Sequence, residues 1–224
     1  MNRARRDILD GIRRGLRGGR APDEAALAAV EERLARHPRG LIPARVDKPH
    51  LGLVTLFMEK AEAVAATVGR VPGLSEIPAE IAAYLAGHNL PSEIKLATDP
   101  LLTGLPWQTR PTLTVKSGPA QDGDAVGVAA AVAGIAETGT LMLLSGPHGP
   151  TTINFLPDTH IVVLRSSTIV GPYEDAWDQV RAAGALPRTV NLITGPSRTG
   201  DIEQTIQLGA HGPRRLHIVL VEGQ

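Results

Sequence analysis

The amino-acid sequence predicts an α/β fold: a mostly parallel sheet with helices on both faces, preceded by an N-terminal helical region. Three observations carry this reading. Short apolar runs recur from residue 93 onward, at 94–97, 113–115, 126–128, 140–144, 161–164, 190–193 and 216–221. The last run, Leu216-His217-Ile218-Val219-Leu220-Val221, is almost continuously apolar, as expected of a strand covered on both faces. Between two of the runs, Tyr173, Trp177 and Val180 share one helical face, with Pro172 before them and Gly184 after. Strand–helix–strand units of this kind imply parallel pairing through right-handed crossovers.

Ahead of residue 93 the pattern is helical. Residues 1–20 hold seven arginines against Asp7 and Asp10, a local balance of +5 in a chain whose 23 basic and 23 acidic residues cancel. Leu9, Ile12 and Leu16 form a narrow apolar stripe on this basic helix. Such a stripe suits an acidic partner or a membrane surface, and more often the chain's own domain or a sister subunit in a homo-oligomer. A second helix opens near Pro22, Asp23 and Glu24, carries Leu27, Val30 and Leu34, and closes at His37-Pro38. The proline-rich stretch 38–50 reads as a linker, so an N-terminal arm and linker (1–49) are expected before an α/β domain (50–224). Phe57, Ala61, Val64 and Val68 recur at helical spacing and predict one long helix ending near Gly69. A shorter helix runs through Ile81 and Leu85 to Gly87.

Composition excludes several function classes. The charge balance argues against nucleic acid as a partner. The chain contains no cysteine, which rules out disulfides, thiolate metal sites, cysteine-held iron–sulfur clusters and a cysteine nucleophile. No apolar run approaches the roughly 18 residues of a membrane span. The opening residues lack the apolar core of a secretion signal, so a cytoplasmic protein is expected. The seven histidines show no i, i+3 or i, i+4 pairing, and no metal site or resident cofactor is expected. Dinucleotide, Walker, zincin and nucleophile-elbow motifs are absent. Gly146-Pro147-His148-Gly149-Pro150 reads as a rigid hairpin connection, since prolines remove amide donors that a phosphate cradle needs.

Three clusters carry polar chemistry. Gly195-Pro196-Ser197-Arg198-Thr199-Gly200-Asp201 follows an apolar run and leads into a short helical pattern. A strand, a glycine-rich loop and a helix N-terminus together favour a carboxylate or phosphate, with two hydroxyls and a guanidinium to add. The plainer reading is a turn in which Thr199 or Asp201 caps the helix. Glu137, in Gly134-Ile135-Ala136-Glu137-Thr138-Gly139-Thr140, is a candidate general base or nucleophilic carboxylate, or else a turn residue beside a positive-φ glycine. His211, in Gly209-Ala210-His211-Gly212-Pro213, invites a catalytic reading, but a packed connector is the commoner role. If 190–193, a helix after Asp201 and 216–221 form a βαβ unit, Ser197 lies at the carboxyl edge of the sheet, where ligands usually bind, and His211 lies near the opposite edge.

In their order and spacing, the segments GIAETGT (134–140), Leu156-Pro157 with His160-Ile161, GPSRTGDIE (195–203) and GAHGP (209–213) resemble the lactate utilisation protein C family, the LUD domain. The resemblance covers about residues 90–222, and the basic N-terminal helix also resembles the family's opening. It implies a Rossmann-like fold similar to the NagB/RpiA/CoA-transferase class. It also implies a part in oxidising L-lactate to pyruvate together with iron–sulfur partner proteins. The expected ligand contacts are Thr138, Gly139, Thr140, Asn154, Gly195, Ser197, Arg198, Thr199, Asp201 and His211, with Glu137 as the catalytic candidate. One departure is the segment GPHGPTTINF (146–155), which lacks the arginine common in relatives and has Asn154 where a small hydroxyl residue is usual. Two classes stay open: a non-redox subunit of a lactate-oxidising complex, or a stand-alone enzyme acting on a phosphorylated sugar or acyl-CoA.

Overall fold

A computed structural model describes residues 3–16, 18, 20–202 and 205–223. The chain divides into two compact units, Met1–Leu41 and Ile42–Gln224. The first holds helices α1 (Arg3–Gly15) and α2 (Glu24–Arg36). Asp23 caps α2 by accepting a hydrogen bond from the Ala26 N–H at 2.7 Å, and His37 ends it in the left-handed region at φ 45°.

The second unit is α/β, as the sequence predicts. Its helices are α3 (His50–Ala63), α4 (Ile77–Gly87), α5 (Pro100–Thr103) and α6 (Tyr173–Ala182). Its strands run in order β1 (Thr67–Val71), β2 (Glu93–Leu96), β3 (Thr114–Ser117), β4 (Val126–Ala130), β5 (Ala133–Ile135), β6 (Thr140–Leu144), β7 (Thr159–Arg165), β8 (Ile169–Val170), β9 (Val190–Ile193), β10 (Arg198–Ile202), β11 (Thr205–Leu208) and β12 (Arg215–Val221). Six strands form one all-parallel sheet in the order β1-β12-β7-β4-β2-β3. Its centre is the main core: Ile161, Val162, Leu164, Ile218, Val219 and Leu220 are buried, with Phe57 of α3 and Ile81 and Leu85 of α4 packed in. That burial of branched side chains on both faces is why these strands read as continuous apolar runs.

Four features depart from the sequence reading. The long helix expected to reach Gly69 ends at Ala63, and Val68 and Gly69 belong to β1. The run 190–193 does not join the parallel sheet. It pairs antiparallel with β6 in a second, four-stranded sheet ordered β8-β5-β6-β9. A small core of Ile135, Met142, Ala176 and Val180 fastens α6 to that sheet. Third, among the described residues no helix follows Asp201: β10 and β11 pair antiparallel, so the supposed βαβ unit does not form there. Lastly, Ser197 and His211 are neighbours rather than residues at opposite edges, as the next section describes. Among the described residues, no helix is long and apolar enough to cross a membrane.

Candidate functional site

The polar loop after β9 is fixed by backbone geometry. Gly195 has φ +74°, and a Cβ there would stand 2.4 Å from the Val64 carbonyl oxygen, so only glycine fits against the end of α3. Arg198 reaches back to the same place, donating from Nη2 to the Val64 carbonyl. The Ser197 N–H donates to the Pro213 carbonyl at 2.8 Å, and the Gly209 N–H donates to the Ser197 carbonyl at 2.9 Å. The His211 N–H then faces Ser197 Oγ at 3.4 Å. These bonds knit 195–198 to 209–213. They also commit the Ser197 amide, so it is the side chains rather than a helix N-terminus that can meet a ligand.

A cavity of about 290 Å³ opens between these loops and the parallel sheet. Its wall includes Gly195, Ser197, Arg198 and His211, together with Asn154, Phe155, His160, Leu192, Ile193 and Leu216. His160 and Leu216 are the second residues of β7 and β12 and face each other in register, so the cavity lies at the amino edge of the six-stranded sheet. The expectation that Ser197 lies at the carboxyl edge holds for β9 alone, because β9 belongs to the other sheet.

The cavity is graded in exposure. Arg198, His211, Phe155 and Leu192 are exposed, whereas Asn154 and His160 are 6% and 1% exposed. Among the described residues neither ring nitrogen of His160 has a hydrogen-bond partner, and burial pushes its pKa down to about 3. The imidazole is therefore neutral near pH 7, offering one donor and one acceptor. Asn154 also borders a second cavity of about 210 Å³, where the Gly146–Gly149 hairpin is tied to Thr98 by its hydroxyl bond to the Pro147 carbonyl at 3.0 Å.

The 134–140 cluster stands apart from this cavity's lining. Thr140, fully buried, lies 2.7 Å from the Thr138 hydroxyl, 2.9 Å from that of Tyr173 and 2.6 Å from that of Thr194. Thr138 also meets Tyr173 at 2.8 Å. These hydroxyls satisfy one another and lock the β5–β6 turn to α6 and to the residue before Gly195. Gly139, at φ +69°, sits directly on the backbone of Ala61. Glu137 pairs with Arg45, Nη2 to Oε1 at 3.4 Å, and its carbonyl accepts from Arg45 Nε at 3.2 Å. Thr199 lies in β10 paired with Gln207; Asp201 is also in β10, at a position where only the backbone is described.

Sequence reasoning missed His160, which is embedded in an apolar run, and Tyr173 and Thr194, which look like ordinary helix and loop residues. His160 stood in the Leu156-Pro157 and His160-Ile161 segment of the resemblance, and a titratable side chain at the start of a strand buried on both faces was a further signal for it.

Residues 121–221 match the LUD domain. The resemblance read from the motifs is thereby borne out, and every residue of the cavity wall falls inside the LUD segment. An uncharacterised protein of Neisseria meningitidis serogroup B is 40% identical over 96 residues, 42% of this chain and 41% of that protein. Lactate utilization protein C of Geobacillus sp. (strain WCH70) is 37% identical over 91 residues, 39% of this chain and 38% of the relative. The protein of that name from Geobacillus kaustophilus is 36% identical over 100 residues, 43% and 42% of the two chains. The chain thus matches about two fifths of the length of these curated relatives. A solved DUF162 family protein from Deinococcus radiodurans shares the fold of this chain with a TM-score of 0.61 at 23% identity, the match covering 78% of this chain and 99% of that protein.

Proposed function

We propose that this LUD protein takes part in lactate utilisation as a protein C-like, non-redox subunit, acting with iron–sulfur partner proteins in the oxidation of L-lactate to pyruvate. Its own contribution is a site for a small carboxylate or phosphate at the 195–201 loop. The observation that carries the reading is the cavity itself: within the LUD segment, Ser197, Arg198 and His211 converge on a space bounded by Asn154 and His160. A hydroxyl, a guanidinium and an imidazole at a partly apolar mouth form charge-assisted hydrogen bonds to an oxyanion, each with a net value of about 1.5–3 kcal/mol. Relatives named Lactate utilization protein C, at 36–37% identity, support the lactate assignment. The lack of cysteine in this sequence supports a cysteine-held redox cluster residing in a partner protein.

Two measurements test this. The purified chain is expected to be colourless and inactive with L-lactate and an artificial electron acceptor, and to co-purify from its native host with cysteine-rich proteins. Turnover by the lone chain, with no other protein added, contradicts the subunit reading.

A further inference from the structure

The wall of the LUD cavity is not that of a bare anion site. Its outer part carries the cationic and hydroxyl groups, Arg198 and Ser197, and the exposed faces of Phe155 and Leu192. Ile193 and Leu216 add apolar wall. Its least exposed polar side chains, taken here as its inner end, are Asn154, at 6%, and His160, at 1%. Both His160 ring nitrogens are buried without a hydrogen-bond partner among the described residues, and the Asn154 amide stands on the same cavity wall. A neutral imidazole left unpaired inside a protein carries the desolvation cost of a missing bond. Its position on the wall of a cavity gives that cost a reason.

We infer that the inner end of this cavity, Asn154 with His160, is a specificity-determining site for a neutral hydroxyl or carbonyl group on an acid ligand with an apolar body. The chemistry at each level selects one part of such a ligand. The carboxylate or phosphate stays at the mouth with Arg198, where solvent still screens the charge. The apolar body lies against Leu192, Ile193 and Leu216. The distal polar group then reaches the amide, which can donate or accept. A charged group is disfavoured at the inner end, because the burial that holds His160 neutral also penalises any unpaired ion there. The space of about 290 Å³ is near the lower bound of about 300 Å³ for small-molecule pockets, and larger than a three-carbon acid needs. This inference rests on the anion-site reading above and goes beyond it by naming the ligand's other end.

Calorimetric titration of the full chain with 4-hydroxybenzoate, benzoate and L-lactate tests it. The expected result is 4-hydroxybenzoate binding about tenfold tighter than benzoate, the size of one well-made neutral hydrogen bond. In Asn154→Leu, which removes the amide at similar volume, that difference is expected to vanish while benzoate affinity is kept. Asn154→Ala serves if the leucine variant does not fold, with the same narrowing expected. Equal binding of the two aromatic acids, both weakened by Arg198→Ala, overturns the inner-end site and leaves the anion site standing. Binding of L-lactate with neither aromatic acid overturns the apolar-body assignment. Failure of all three acids to bind while phosphate still binds overturns this inference and leaves the anion site standing; failure of pyruvate and phosphate as well overturns both.

Discussion

Arg198 serves two roles, and they separate by experiment. Nη2 braces the Val64 carbonyl at the end of α3, while the same guanidinium lines the cavity mouth. Arg198→Ala is expected to weaken anion binding roughly 10- to 100-fold, the equivalent of one charge-assisted bond, and to cost about 1 kcal/mol of stability through the lost brace. Thermal unfolding and calorimetric titration of the same variant read the two effects apart. Two buried histidines make the fold sensitive to acid. Burial lowers His160 to about 3 and His217 to about 4, from an ordinary value of 6.5, with His88 adding to the shift at His217. Both groups bind protons more readily unfolded than folded, so the unfolded state holds more protons between those values. Stability is therefore complete above pH 6.5 and falls as pH drops toward 4 and then 3. His160→Leu is expected to flatten the lower part of a midpoint-against-pH curve; an unchanged slope would remove His160 from the account.

At the scale of elements, loops and strand ends share the cavity wall: Ser197 and His211 come from loops, and His160, Arg198 and Leu216 from β7, β10 and β12. The strands β7 and β12 and helix α6 were legible because each presents one unbroken signal, a continuous apolar run or a single helical face with a breaker at each end. The strand β1 was not. Val68 continues the helical spacing of Phe57, Ala61 and Val64, and the break falls at Ala65, a non-glycine residue at φ 68° that carries no turn signature. The strands β5 and β8, three and two residues long, are too short for periodicity to register. Which sheet a strand joins depends on distant partners, so β9 read as part of the parallel sheet although it pairs antiparallel with β6. That mistake moved His211 to the wrong edge. The motif residues themselves were legible, yet they divide between a cavity and a hydroxyl lock. Gly195→Ala is expected to destabilise by about 1–3 kcal/mol, because φ +74° and the Val64 carbonyl both oppose a Cβ. Thr140→Val leaves the hydroxyls of Thr138, Tyr173 and Thr194 short of a partner, and a comparable loss is expected in denaturant unfolding.

At the scale of the whole molecule, the α/β unit holds a cavity formed where two sheets and a hairpin meet, inside the segment that matches the LUD domain, in a sequence with no cysteine to support cysteine-ligated redox chemistry. The central claim is that this cavity binds an anion through the 195–198 loop. Its most direct test is calorimetric titration of L-lactate, pyruvate and phosphate into the wild type and into a Ser197→Ala/Arg198→Ala double variant of confirmed fold. The account predicts saturable binding of at least one of these anions to the wild type, weakened at least tenfold in the double variant. Equal affinity in the two proteins, or no binding to either, contradicts it and reduces the loop to a structural turn.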